Sequence, residues 1–407
     1  MSNLIVGWGI TGKSITNFFE DNNMNDYKIW DDDISDTISD KIEDDPTNVT
    51  IDNYSKVYVS PGVPPDHQLI LQSDNNLNKI PIETDLDIFF DTNKDLSIKV
   101  IGITGTNGKS TCAELLKEVL IDSGYKVEIC GNVGYPILDL KNIEDYDYLI
   151  LELSSFQLHY VKRLKLDIAA IVNITEDHID WHGNKWEYQK SKLAISRHTS
   201  GVQKTILGAL PEQIIPDIDM NNYSLITKAT ADRNGISKDI QNVIYGICGL
   251  LSIEEDPIET VFDKNRINPH RFEIFGKNAE LTFINDSKAT NFSAVTSALE
   301  KVECGLLIMH GDLKGVNPDY LIIPEGIHSV VFYGDNQLEL ALDTKNIFYI
   351  ESFTELPEII NSVCKKGDTV ILSPGGSSFE HFIDYRHRGD EFKNSIREAY
   401  LQDSGTK

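Results

Sequence analysis

Thr104-Gly105-Thr106-Asn107-Gly108-Lys109-Ser110-Thr111 follows the apolar run Lys99 to Thr104 and leads into a pattern that puts Cys112, Leu115, Leu116, Val119 and Leu120 on one helical face. A strand, a glycine-rich loop and an amphipathic helix in that order are a unit of α/β layers around a parallel sheet. The glycines free backbone N–H groups to cradle phosphates, Lys109 can reach β/γ oxygens, and Ser110 can hold Mg²⁺. Ile103 stands where a strict P-loop has its first glycine. Gly124 is the expected helix stop. Tyr148 to Leu153 and Ile168 to Ile174 are short apolar runs that read as further central parallel strands, whose carboxyl ends form the ligand-binding edge.

Working outward, the chain has 407 residues, and single cores stop growing at roughly 250 to 300, so several domains are expected. Polar stretches at Asp91 to Asp95 and Asn265 to Pro269 divide it into 1–93, 94–267 and 268–407. With 40% hydrophobic and 25% charged residues the composition is that of a globular protein. A formal charge of −27 repels polyanions, which argues against nucleic acid as a partner. No apolar run has the length of a membrane span, and no basic segment precedes the apolar stretch from Leu4 to Gly7, so secretion is not expected. The scattered Cys112, Cys130, Cys248, Cys304 and Cys364 read as core thiols of a reducing, cytoplasmic compartment.

Gly7-Trp8-Gly9-Ile10-Thr11-Gly12 also follows an apolar strand, with Asp31 about twenty residues on, where a dinucleotide fold places its ribose acid. These glycines suit NAD, another nucleotide or a structural turn alike. Glu152 falls at the end of an apolar strand, where a buried carboxylate calls for a partner such as a metal. Glu176-Asp177-His178 follows another strand end and Lys192 lies on a helix beyond it. Beside a P-loop this grouping points to a metal–phosphate site, whereas an isolated His would read as structural.

Thr104–Thr111 resembles the ATP loop of the Mur ligase and folylpolyglutamate synthetase superfamily, and the run from Asn173 to Gly183 is similar to its central signature. Leu151 to Gln157, Pro269 to Glu273 and Asn285 to Asn291 extend the match in family order. Gly7 to Gly12, Ser60-Pro61-Gly62, and Leu372 to Phe379 with Arg386-His387-Arg388-Gly389 resemble the branch that adds D-glutamate. The resemblance implies three α/β domains: Rossmann-like, P-loop ATPase-like, and a second Rossmann-like one. It implies a monomer, free of nucleic acid and membrane, that joins D-glutamate to UDP-N-acetylmuramoyl-L-alanine through an acyl phosphate in peptidoglycan synthesis. ATP and two Mg²⁺ ions are the implied cofactors, with a CO₂-derived carbamate on Lys192 or, as the competitor, Lys190.

Site residues follow by the same resemblance. Ile10, Thr11, Asp31, Asp32, Ser60, Asn132 and His178 would hold the UDP substrate. Gly105, Thr106, Asn107, Gly108, Lys109, Ser110, Thr111 and Asn242 would bind ATP, with Arg271, Asp286 and Lys288 closing on it. Ser110 and Glu152 would take one Mg²⁺, His178 and Lys192 the other. Thr290, Lys314, Ser378, Phe379 and Tyr385 would surround the amino acid. Departures from the family pattern are His310-Gly311-Asp312-Leu313-Lys314-Gly315, Tyr385, Lys238-Asp239, and a short segment from Gly201 to Ile236. The alternatives are a sibling ligase for another amino acid and a nicotinamide-binding protein using Gly7–Gly12.

Overall fold

The computed structural model describes residues 2–32, 49–75, 80–199, 205–209, 220–264, 269–318, 321–334 and 346–401. Among these residues three sheets form. The first holds β1 (Asn3–Val6), β2 (Tyr27–Trp30), β3 (Lys56–Val59) and β4 (Ile82–Glu83) in the order β2-β1-β3-β4, all parallel. The second holds β5 (Lys99–Thr104), β6 (Val127–Gly131), β7 (Tyr148–Glu152), β8 (Ile168–Ile171), β9 (Thr205–Leu207) and β10 (Tyr223–Leu225). Its order is β10-β9-β8-β5-β7-β6, again parallel throughout. The third holds β11 (Glu273–Lys277), β12 (Thr282–Asn285), β13 (Gly305–His310), β14 (Ile327–Tyr333), β15 (Asn346–Ile350) and β16 (Thr369–Gly375) in the order β11-β12-β16-β13-β14-β15. There β11 runs antiparallel to β12 at the sheet edge, while the other five strands pair in parallel.

Why these runs become central strands is plain from burial. All residues of Tyr148–Glu152 and of Gly305–His310 are buried, the pattern of strands covered on both faces. β7 and β8 stop at Glu152 and Ile171, short of the predicted Leu153 and Ile174, because the chain turns there toward the functional edge. Cys112, Cys130 and Cys248 are core thiols as expected; Cys304 and Cys364 are only half-buried.

The chain forms two compact units. One comprises Met1–Ile174 with Trp181–Lys264, the other Thr175–Asp180 with Asn265–Lys407. Sequence reasoning left Thr175–Asp180 with the middle of the chain. It joins the second unit because Ile179 packs on that unit's core and the Asp180 N–H donates to Lys314 O at 3.1 Å. The boundary expected at Asn265 to Pro269 falls largely on 265–268, and part of the short Gly201 to Ile236 segment on 201–204 and 210–219, all outside the described residues.

Candidate functional site

In each sheet several of the residues singled out from sequence lie at the carboxyl ends of adjacent strands, the edge where such folds meet a ligand. After β5 the chain enters the P-loop, and Gly108, at φ +80° in the left-handed region, caps the helix Lys109–Asp122 with no capping side chain. Lys109 Nζ folds back onto Gly105 O (2.9 Å) and Thr106 O (3.0 Å). The Thr106 and Asn107 N–H groups donate to Asn173 O and Oδ1, both at 2.9 Å. Asn173 in turn donates to Asp239 Oδ2 at 3.3 Å. The loop is thus braced by Asn173, just past the end of β8.

Glu152 closes β7 with its carboxylate buried. Oε1 accepts from Asn132 Nδ2 at 2.8 Å, while buried Oε2 meets no hydrogen-bond partner among the described residues. Thr111 Oγ1 is buried and unpartnered in the same way. An unsatisfied buried carboxylate oxygen is costly, and hard oxygen donors suit Mg²⁺, so this donor set fits the implied ion. Among the described residues no cluster of three His, Cys, Asp or Glu side chains could hold a metal without other donors.

The helix Lys185–Leu193 separates the two competing lysines. Lys192 is 2% exposed, donates to Gly105 O at 2.7 Å and lies 4.9 Å from the Tyr188 ring centroid. Tyr188 OH in turn shares a 2.8 Å hydrogen bond with Thr106 Oγ1. Lys190, by contrast, sits in solvent in a 3.0 Å pair with Glu187. Asn242, expected at ATP, is buried and accepts from the Ala229 N–H at 2.7 Å.

A cavity of about 490 Å³ opens in the first unit. Ile10, Thr11, Asp31, Asp32, Ser60 and Asn132 all line it, together with Trp30, His67, Tyr135 and Gln157, which sequence reasoning missed. The Trp30 and His67 rings lie 4.7 Å apart; no motif marked that pairing. The three glycines divide their work. A Cβ on Gly12 would collide with the Gly7 carbonyl oxygen, Gly7 has φ +87°, and Gly9 faces open space. Ser60 Oγ donates to Gly7 O (2.6 Å) and the Trp8 N–H to Asp31 Oδ2 (2.5 Å), so both polar residues also shape the loop. His178, expected at the same substrate, is not among the lining residues and belongs to the second unit.

In the second unit the loops after β12, β13 and β16 adjoin: the Gly375 N–H donates to Ala289 O (2.8 Å) and the Ser377 N–H to Asp312 O (2.9 Å). Lys314, at φ +55°, donates to Asp177 Oδ1 (3.0 Å) and Thr290 O (3.1 Å), using two of its three N–H groups. Asn291 Nδ2 adds a 3.2 Å bond to Asp177 Oδ2, and the His178 N–H donates to Asp177 Oδ1. Burial alone would raise the Asp177 carboxyl, but the charges of Lys314 and His178 and the bonds from Lys314 and Asn291 hold it below the ordinary range. Asp286 is tied to the Phe272 N–H (2.9 Å) and Ser373 Oγ (2.8 Å), where it shapes the Arg271 turn. Lys288 Nζ stands 5.0 Å from the Tyr385 ring. Ser378 is buried and Phe379 is 77% exposed.

Three sheets, one of which runs from β5 through a P-loop into a helix, define a multidomain P-loop protein of α/β type. Residues 103–246 match the family described as "Mur ligase middle domain". The UDP-N-acetylmuramoylalanine--D-glutamate ligase of Tropheryma whipplei (strain TW08/27) is 31% identical over 398 residues, covering 84% of this chain and 82% of that protein. Its namesake in Francisella philomiragia is 28% identical, covering 97% and 96%. The solved MurF ligase of Thermotoga maritima in complex with ADP shares the fold, with TM-score 0.55, 14% identity and coverage of 98% and 95%. The chain belongs to the Mur ligases, within the UDP-N-acetylmuramoylalanine--D-glutamate ligase family.

Proposed function

We propose that this chain joins D-glutamate to the alanyl carboxylate of UDP-N-acetylmuramoyl-L-alanine with cleavage of ATP, in cytoplasmic assembly of peptidoglycan precursors. The observation that carries this is Asn132: it lines the 490 Å³ cavity and also holds Glu152 at 2.8 Å, so the substrate cavity and the phosphate edge share a residue. Domain 1–93 with Asn132 supplies the UDP-substrate site, 94–267 the ATP site, and 268–407 the amino-acid site.

A carboxylate is a poor electrophile, so its oxygen first attacks the γ-phosphorus, ADP leaves, and an acyl phosphate forms. The D-glutamate amine then attacks the acyl carbon, phosphate departs with the former C–O bond electrons, and the amine gives up a proton. Lys109 places a positive charge beside the transferring group, and the helix N-terminus behind Gly108 orients the triphosphate. Ser110 and Glu152 would hold Mg²⁺, which supplies charge neutralisation at the phosphates when bound. Burial beside Gly105 supports Lys192, and solvent exposure argues against Lys190, as the lysine that reacts with CO₂. Lys314, Thr290 and Ser378 are the proposed grip on the two glutamate carboxylates.

Substrate labelled with ¹⁸O in the alanyl carboxylate tests the route. One label should appear in released phosphate; phosphate without label would overturn the acyl-phosphate step.

A further inference from the structure

At the end of β13, where the family pattern is glycine-rich, this chain carries His310, fully buried. Its ring sits among Tyr333 (5.2 Å), Phe382 (5.1 Å) and His381 (5.2 Å). Nδ1 lies 2.9 Å from Arg388 Nη1, and Nε2 lies 3.1 Å from His381 Nδ1. Hydrogen-bond chemistry gives this chain one direction. A guanidinium only donates, so His310 Nδ1 accepts; the neutral ring then carries its proton on Nε2 and donates to His381 Nδ1. A second proton on His310 would face the guanidinium, and burial, Arg388 and His381 push its pKa down to about 3.

His381 ends a turn that begins at Ser378: the His381 and Phe382 N–H groups donate to Ser378 O at 3.4 and 2.9 Å. The other end of that turn is held by Arg388, which donates to Gly376 O (3.1 Å) and Ser377 O (3.2 Å). Arg388 also reaches Ser287 Oγ (3.0 Å) and O (2.8 Å) on the loop after β12. Gly311 leaves no room for adjustment, since a Cβ there would collide with the Ser377 carbonyl oxygen.

We propose that His310 and His381 are positioning residues for the amino-acid site: the one-way relay Arg388 to His310 to His381 locks the Ser378–Phe379 turn in the shape that receives D-glutamate. This rests on the reading of Ser378 as part of that site. His381 is the residue to change because it is exposed, whereas His310 and Arg388 are fully buried. His381→Phe keeps a ring and removes the acceptor, whereas His381→Asn keeps an acceptor.

The test uses the full chain. In ¹⁵N-histidine spectra at neutral pH, the His310 ring, assigned by its loss in His310→Gln, should show the Nε2–H tautomer and lose its shared-proton signature in His381→Phe. A His310 ring that is Nδ1-protonated or cationic would overturn the relay. In steady-state assays His381→Phe should raise KM for D-glutamate about fivefold, the worth of one hydrogen bond. KM for ATP should stay within about twofold, and His381→Asn should return KM for D-glutamate to the parent value. Equal rises in both KM values, or no rise at all, would overturn the positioning role. Failure of the unsubstituted chain to ligate D-glutamate would instead overturn the reading beneath it, with the tautomer measurement still judging the relay.

Discussion

At Asp286, burial pushes the carboxyl up to about 6 against the bonds from Phe272 and Ser373. A carboxyl whose folded pKa exceeds its unfolded one opposes folding above the folded value, and the penalty vanishes as pH falls below the ordinary Asp range near 3.9. Asn offers the same acceptor to the Phe272 N–H and a donor to Ser373 Oγ. Asp286→Asn should therefore stabilise the second unit by about 3 kcal/mol at pH 7.5 and by almost nothing near pH 3.5. Thermal unfolding at the two pH values reads this directly; an equal shift at both would contradict it. Lys192 poses the other residue-level question. Lys192→Ala should lose most activity, with partial recovery in small carboxylic acids, while Lys190→Ala stays near the parent rate. Reversal of the two in a ligation assay would move the carbamate to Lys190. Sequence left this pair open because both lysines lie in one short helix; burial separates them.

Elements were legible where local pattern decides them. β5 spans Lys99–Thr104 and the next helix starts at Lys109, as the P-loop reading expects. Ser60 and Asn132 were found only through resemblance, and Arg388 was noted in a motif without a role. Its partners Ser287, His310 and Gly376 are brought in by long-range folding, and no periodicity reports such contacts. The N-terminal glycine loop gives a prediction at this scale. Gly12→Ala must push the helix Ile10–Asp21 off the Gly7 carbonyl, while Gly9→Ala meets nothing within 4 Å. Gly12→Ala should lower the unfolding temperature and abolish UDP-substrate binding. Gly9→Ala should fold normally and weaken only that binding. Calorimetry and titration of the nucleotide substrate on both variants check it, and a well-folded, binding-competent Gly12→Ala would contradict it.

Across the molecule, layered α/β sheets were foreseeable, since alternating apolar runs and helical patterns dictate α/β layers. The transfer of Thr175–Asp180 to the second unit was not, because the Asp177–Lys314 pair spans 137 residues. That pair also bears on the proposed anion site: Lys314 is already paired with Asp177 at 3.0 Å, so the proposed grip on glutamate needs contributions from Thr290, Ser378 and the loop N–H groups. Among the described residues no helix is long and apolar enough to cross a membrane.

The central claim is tested most directly by phosphate release with UDP-N-acetylmuramoyl-L-alanine, ATP and Mg²⁺ across a panel of amino acids. D-Glutamate should be preferred over D-glutamine and D-alanine by about ten- to a hundredfold in kcat/KM, the worth of a charge-assisted hydrogen bond left unmade. Comparable release with D-alanine, or release indifferent to the amino acid, would contradict the account.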